Sequence, residues 1–350
     1  ATHGRAFWIL DDIEPIREWS DTIAGRKAYL FHPAHALRIR RSENRDTPLP
    51  METPVGENPP AGALIDYYLK ADLSDKLTLE IRDMNGDLVR RFSSEDKPLA
   101  APADPPEFPD YWLPKPQRLE TTAGMHRLLW DMRYPAPAAI HTDYSMGALI
   151  HGGTERLPQG RLVLPGKYQA WLIVGNETHK QTFMIDMDPR VEISENDLQA
   201  QSEFLRKIND DLNETTRTYM EVSSVRSQLA TIEKQFQNDA RLKGLQDAVE
   251  QFDARAKILA DGKQATWPAT GDGMQALDAA FGALSNTAEE ADRAPTAQAA
   301  AAFEDCEKRL REIAEEWDAM KQKDLPALNE KLRQAGMPSV TLGEGSDASR

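Results

Sequence analysis

Cysteine is almost missing from this chain: Cys306 is the only one in 350 residues. That excludes an internal disulfide framework and any zinc or redox site built on a CxxC pair. Long apolar runs are missing too, and no stretch approaches the roughly 20 apolar residues that cross a bilayer. Basic excess is missing as well. Lys+Arg 42 against Asp+Glu 57 leaves a net charge of −15, which argues against wholesale binding to nucleic acid or anionic lipid. No initiator Met and no signal peptide open the chain, and its first residues read as a strand, so it looks like a processed product or an excised piece. No G-x-S-x-G elbow, H-E-x-x-H helix or Walker loop occurs.

What is present points to more than one domain. The length exceeds what a single hydrophobic core organises, and 40% hydrophobic with 28% charged residues is the composition of a folded chain. Charge and proline are both uneven. Residues 191–350 carry −11 and residues 1–190 carry −4, while most of the 23 prolines lie before residue 190. The front reads as loop-rich β structure and the back as acidic helix.

Phe7, Trp8, Ile9 and Leu10 form a short β-rich run followed by Asp11-Asp12, and a strand that begins so early must pair with something. Residues 38–57 read as an exposed linker. From 58 to 190 the pattern is β. Leu77, Leu79 and Ile81 alternate with polar residues, and Asn85-Gly86 marks a hairpin. Within this part, 98–160 is an insertion rich in proline and aromatic residues. Ser194-Glu-Asn-Asp197 resembles a capping box. Leu205, Ile208, Leu212, Thr215, Tyr219, Val222, Leu229, Ile232 and Phe236 then recur at helical spacing, with Arg226 interrupting the stripe. Three further apolar stripes follow, with a break at Trp267-Pro268. The expected fold is α+β and multidomain: an antiparallel fibronectin-III/Ig-like β-sandwich, then an antiparallel four-helix bundle over 191–339, with 340–350 a flexible tail.

Candidates for chemistry are few. His32 and His35 could share a face, but Pro33 and the lack of a nearby carboxylate pair weaken a metal site there. His126 beside Trp130-Asp131 reads as a structural histidine, and Asp11-Asp12 as a solvated turn or a weak cation site. The best recognition candidate is the set Phe108, Tyr111, Trp112, Tyr134, His141 and Tyr144, set among prolines and glycines. Aromatics presented on loops can stack on sugars or anchor a protein, or fold back onto a neighbouring domain.

Several stretches together resemble a known family. Thr2 to Asp12 looks like the last blade strand of bacterial sortilin-type, BNR-repeat β-propeller proteins. Gly56 to Ala63 with Ile65 to Leu69, then Gly124 to Arg127 and Trp130 to Pro135, is similar to the region that follows that propeller. Pro165 to Tyr168, Met187 to Arg190, Ala294 to Thr296 and Asp324 to Asn329 fit the rest of it. The resemblance implies a large secreted or cell-surface protein, often labelled a glycosyl hydrolase, with an extracytoplasmic location. This chain would be its non-catalytic C-terminal module, with residues 1–57 a propeller-strand remnant and linker. Its partners would be the β-propeller domain, on the same precursor or a separate chain, and other envelope proteins or glycans. No catalytic residue, metal or cofactor is assigned, no Asp-box pattern is present, and any hydrolase activity would lie in the propeller. The alternative is a glycan- or peptide-binding accessory region.

Overall fold

The computed structural model describes residues 10–40, 59–97, 113, 117–144, 155–236, 242–263 and 272–342. They fall into two compact units: Ala1–Pro135 with Tyr144–Glu195, and Ala136–Asp143 with Asn196–Arg350. Among the described residues no helix is long and apolar enough to cross a membrane.

The first unit opens with two single-turn helices, α1 (Glu14–Glu18) and α2 (Asp21–Gly25), then short strands β1 (Ala28–Leu30) and β2 (Ala36–Arg38). The longer strands are β3 (Ala63–Leu69), β4 (Leu77–Asp83), β5 (Leu88–Ser93), β6 (Gly124–Trp130), β9 (Gly166–Val174) and β10 (Glu177–Met187). Two-residue strands β7 (Asp143–Tyr144) and β8 (Arg156–Leu157) pair with each other. β1-β3-β6 make one sheet and β2-β10-β9-β4-β5 a second, curled one. Alternation explains which face is inside. Leu77, Leu79 and Ile81 of β4 and Ala170 and Leu172 of β9 are all fully buried, and they share one core with Ile65, Tyr67, Leu128 and Trp130. Trp130, Tyr168 and Phe183 meet there with ring centroids 6.0–6.3 Å apart.

The expectation of an antiparallel fibronectin-III/Ig-like sandwich is corrected here. β2 runs parallel to β10, with Ala36 opposite Ile185, so the larger sheet is mixed and the chain is mixed α/β. Period-2 alternation shows which face of a strand is buried but not the direction of its neighbour, and β2 pairs with a strand far along the sequence. The linker reading of 38–57 is corrected at its start. Arg38 is buried, and its Nε donates to the Val163 carbonyl at 2.9 Å. The Asn85-Gly86 turn is longer than a two-residue hairpin. Gly86 takes φ +90°, Asp83 N donates to the Asp87 carbonyl, and the register slips between Ile81 and Arg82. Two glycines are required by close approach: a Cβ on Gly62 would lie 2.0 Å from the Trp130 carbonyl oxygen, and one on Gly160 would lie 1.9 Å from that of Tyr134.

The second unit holds α3 (Glu195–Glu233), α4 (Lys243–Asp261), α5 (Met274–Glu289), α6 (Ala297–Ala319) and α7 (Leu325–Gln334). α3 has 39 residues and spans roughly 58 Å. Arg226, the break in its apolar stripe, pairs with Asp253 at 2.9 Å and Asp261 at 3.7 Å on α4. The four expected apolar stripes fall on α3, α4, α5 and α6, and among the described residues a further helix, α7, follows the last of them without a break. α6 runs into α7 through a π turn, Met320–Asp324, because Pro326 has no N–H and its ring would strike the Gln322 carbonyl in a regular helix. The start of the expected flexible tail is fixed. Val340 is buried and exchanges two 2.8 Å backbone bonds with the Asn329 amide, while Thr341 N donates to Gln228 Oε1.

Candidate interaction surface

The N-terminal segment is held across the outer face of the β1-β3-β6 sheet by one arginine. Inward residues Ile65 and Tyr67 of β3 alternate with outward Asp66 and Tyr68, and β6 places Arg127 opposite Asp66 and Met125 opposite Tyr68. Arg127 grips the Asp66 carboxylate with two bonds, Nε to Oδ1 at 2.8 Å and Nη2 to Oδ2 at 3.0 Å. Its remaining donors reach the carbonyls of Asp11 at 2.8 Å and Asp12 at 3.1 Å. The guanidinium is thus a staple with sheet on one side and incoming chain on the other. Those bonds to Asp66, with the charges of Asp12 and Asp11, push its pKa up despite its partial burial.

The chain then folds into a hook. Asp12 takes φ +56° and its Oδ1 accepts from Glu14 N at 3.0 Å, which starts α1. Glu18 closes it by accepting from His32 N at 3.1 Å and the Tyr29 hydroxyl at 3.4 Å. Trp19 lies edge-on to Tyr68, centroids 5.0 Å apart. Pro15 and Ile23 are the buried anchors. Four large apolar side chains of the hook are left exposed, beside the charged Arg17. Leu10 is 62% exposed, Ile13 41%, Ile16 62% and Trp19 42%, at a regular spacing of three residues. That spacing is visible in the sequence.

The other expected site residues are distributed differently. Phe7, Trp8 and Ile9 lie outside the described residues, as do Phe108, Tyr111 and Trp112, while Leu10 is described and belongs to no strand. Tyr134 is in the first unit, its ring under the Arg161 guanidinium at 3.6 Å. Tyr144 is in β7. His141 is in the second unit, where its Nδ1 stands 3.4 Å from Asp278 Oδ2. His126 has Nε2 2.7 Å from the Thr122 carbonyl and its ring 5.1 Å from that of Tyr67. His35 pairs with Asp186, and among the described residues no group of three or more His, Cys, Asp and Glu is placed to hold a metal ion. An open cleft of about 270 Å³ is lined by Asp75, Lys76, Glu95, Arg118 and Glu120, and the Lys76–Glu95 pair at 3.2 Å closes part of its charge.

One acid in the helical unit carries a titration the sequence does not announce. Asp211 on α3 has a buried, unpartnered Oδ2. Burial first, then the charges of Glu307, Asp210 and Glu214, push its pKa up to about 6, against a smaller opposing pull from Arg311. A raised folded-state pKa gives stability that is full below the ordinary carboxylate range and is lost as pH rises through about 6. Asp211→Asn should therefore stabilise the chain at pH 7–8 and be near neutral at pH 4. Solvent screening of this partly exposed group reduces the gain to about 1 kcal/mol. Urea midpoints at the two pH values check it, and equal shifts at both would reject it.

Comparison with known proteins finds no family model that matches the chain, no matching curated protein and no matching solved structure.

Proposed function

We propose that this chain is a non-catalytic structural and interaction module that joins a β-propeller, carried on the same precursor or on a separate chain. The observation that supports it is the ridge Leu10–Ile13–Ile16–Trp19, four large apolar side chains left more than 40% exposed on a segment stapled in place by Arg127. A ridge held rigid before binding loses little conformational entropy on docking, and its size suits a hydrophobic anchor rather than a solvated turn. The propeller as occupant, and an extracytoplasmic location, rest on the resemblance of residues 2–12 to a terminal blade strand. Residues 1–9 would enter the propeller sheet and close its open edge, while the ridge packs beside it.

The test is retention of the propeller. Deleting residues 1–12, or changing Ile13→Asp together with Ile16→Asp, should cut co-purification of a propeller chain by about tenfold or more. Ile13 and Ile16 are exposed, so thermal stability of the double variant should hold within a few degrees. Undiminished co-purification would exclude the hook as the joint.

A further inference from the structure

The outer face of the five-stranded sheet gathers cations around one aromatic ring, although the chain as a whole is at −15. Strand register sets the layout. Glu80, Trp171 and Lys180 stand in one transverse row of β4, β9 and β10, with Arg91 of β5 opposite Glu80. Arg82, Gln169 and Thr182 make the next row. Because Tyr168, Ala170 and Leu172 point into the core, Lys167 shares the outer face with Trp171.

The side chains divide into fixed and free. Trp171 Nε1 donates to Gln169 Oε1 at 2.9 Å. Arg82 is committed: Glu80 takes it at 2.7 Å, the Gly86 carbonyl accepts from it at 2.6 Å, and its guanidinium carbon sits 4.7 Å from the Trp171 centroid. Lys180 has only the ring, with Nζ 3.5 Å from the centroid. Arg91 and Lys167 are exposed and hold no acid among the described residues. Glu80 being consumed by Arg82, three uncommitted cations surround the indole.

Their spacing selects the ligand. Arg91 and Lys180 are three strands apart, about 14 Å, and Lys167 is four residues from Trp171, about 13 Å. Cations so far apart do not converge on one small anion; they suit an extended polymer carrying repeated charges. Gln169, Thr178 and Thr182 add amide and hydroxyl partners beside the ring, which suits a polyhydroxylated chain. An acidic peptide would offer the same charges but no sugar ring to lie on the indole. We propose that this face binds an anionic polysaccharide, with Arg91, Lys167 and Lys180 meeting its carboxylates and one sugar ring lying on Trp171 after Lys180 leaves the indole.

Affinity electrophoresis of the full chain in gels containing polygalacturonate tests it, with dextran as the uncharged polymer and poly-L-glutamate as the charged polymer without sugar. Polygalacturonate should retard the chain with an apparent Kd about tenfold tighter than either control, weakening as salt rises to about 0.3 M. Trp171→Leu and Lys180→Gln should each lose about fivefold or more. The exposed Lys180→Gln change keeps the test valid should Trp171→Leu disturb folding. No retardation, equal retardation by either control, or a Lys180→Gln variant that binds like the parent would overturn the proposal. Deletion of residues 1–12 should leave retardation unchanged, so this reading and the hook fail separately.

Discussion

Arg127→Met should cost the first unit about 2–3 kcal/mol and free the hook from the sheet. Methionine keeps the volume of the arginine stem but none of its donors. Asp66, only 7% exposed, would lose both of its guanidinium bonds and be left as a buried, unpaired carboxylate. Removing one partner of a fully buried pair costs about 3–5 kcal/mol, and the 34% exposure of the Arg127 side chain lowers that. The carbonyls of Asp11 and Asp12 turn to water at little cost, but the hook loses its tether. Amide hydrogen exchange at residues 14–19 should accelerate well beyond the change in global stability, and the melting temperature should fall by roughly 4–10 °C. Adding Asp66→Asn separates the two effects. The neutral amide removes the stranded charge and should recover about half the stability, while the hook stays loose. Unchanged exchange at 14–19 in Arg127→Met would show that Pro15, Ile23 and Trp19 hold the hook without the staple.

The fold was legible where side-chain periodicity is long enough to count. β4 and β9 advertise themselves through Leu77, Leu79, Ile81 and Tyr168, Ala170, Leu172, and α3 through a stripe running from Leu205 to Ile232. The elements that escaped are short. β1 and β2 have three residues each and α1 and α2 five, too few for any period, and their stability comes from distant partners such as Ile185 for Ala36. That distant pairing is also what turned an expected antiparallel sheet into a mixed one. The candidate surface was half legible. The exposed series Leu10, Ile13, Ile16, Trp19 stands in the sequence at a constant interval, yet nothing in the sequence says that Arg127 holds it. The charged row around Trp171 was hidden for the same reason, since Glu80, Trp171 and Lys180 meet only through strand register.

Asp278 is the other position where one change should act strongly. It is 3% exposed on α5, and each carboxylate oxygen accepts a backbone bond from the 136–143 segment: Oδ1 from Ile140 N at 2.8 Å and Oδ2 from His141 N at 3.0 Å. Asn213 Oδ1 on α3 holds Ala138 N at 2.7 Å, and the Ile140 side chain packs against the helical core. Asp278→Ala removes two charge-assisted bonds, each worth about 1.5–3 kcal/mol, and relieves the desolvation of a buried carboxylate in return. The net loss should be about 3 kcal/mol. Asp278→Asn discriminates the cause. An amide has one oxygen, so its NH₂ must face one of the two N–H donors, and the isosteric change should cost about 2 kcal/mol instead of restoring the contact. Ile140→Ala should cost about 2 kcal/mol alone. Combined with Asp278→Ala it should add much less than that, because the segment leaves as one unit once its anchor is gone. Urea denaturation of the parent and the four variants measures these losses. An Asn variant as stable as the parent would mean that a single acceptor is enough, and additive losses would mean that Ile140 and Asp278 hold the segment independently.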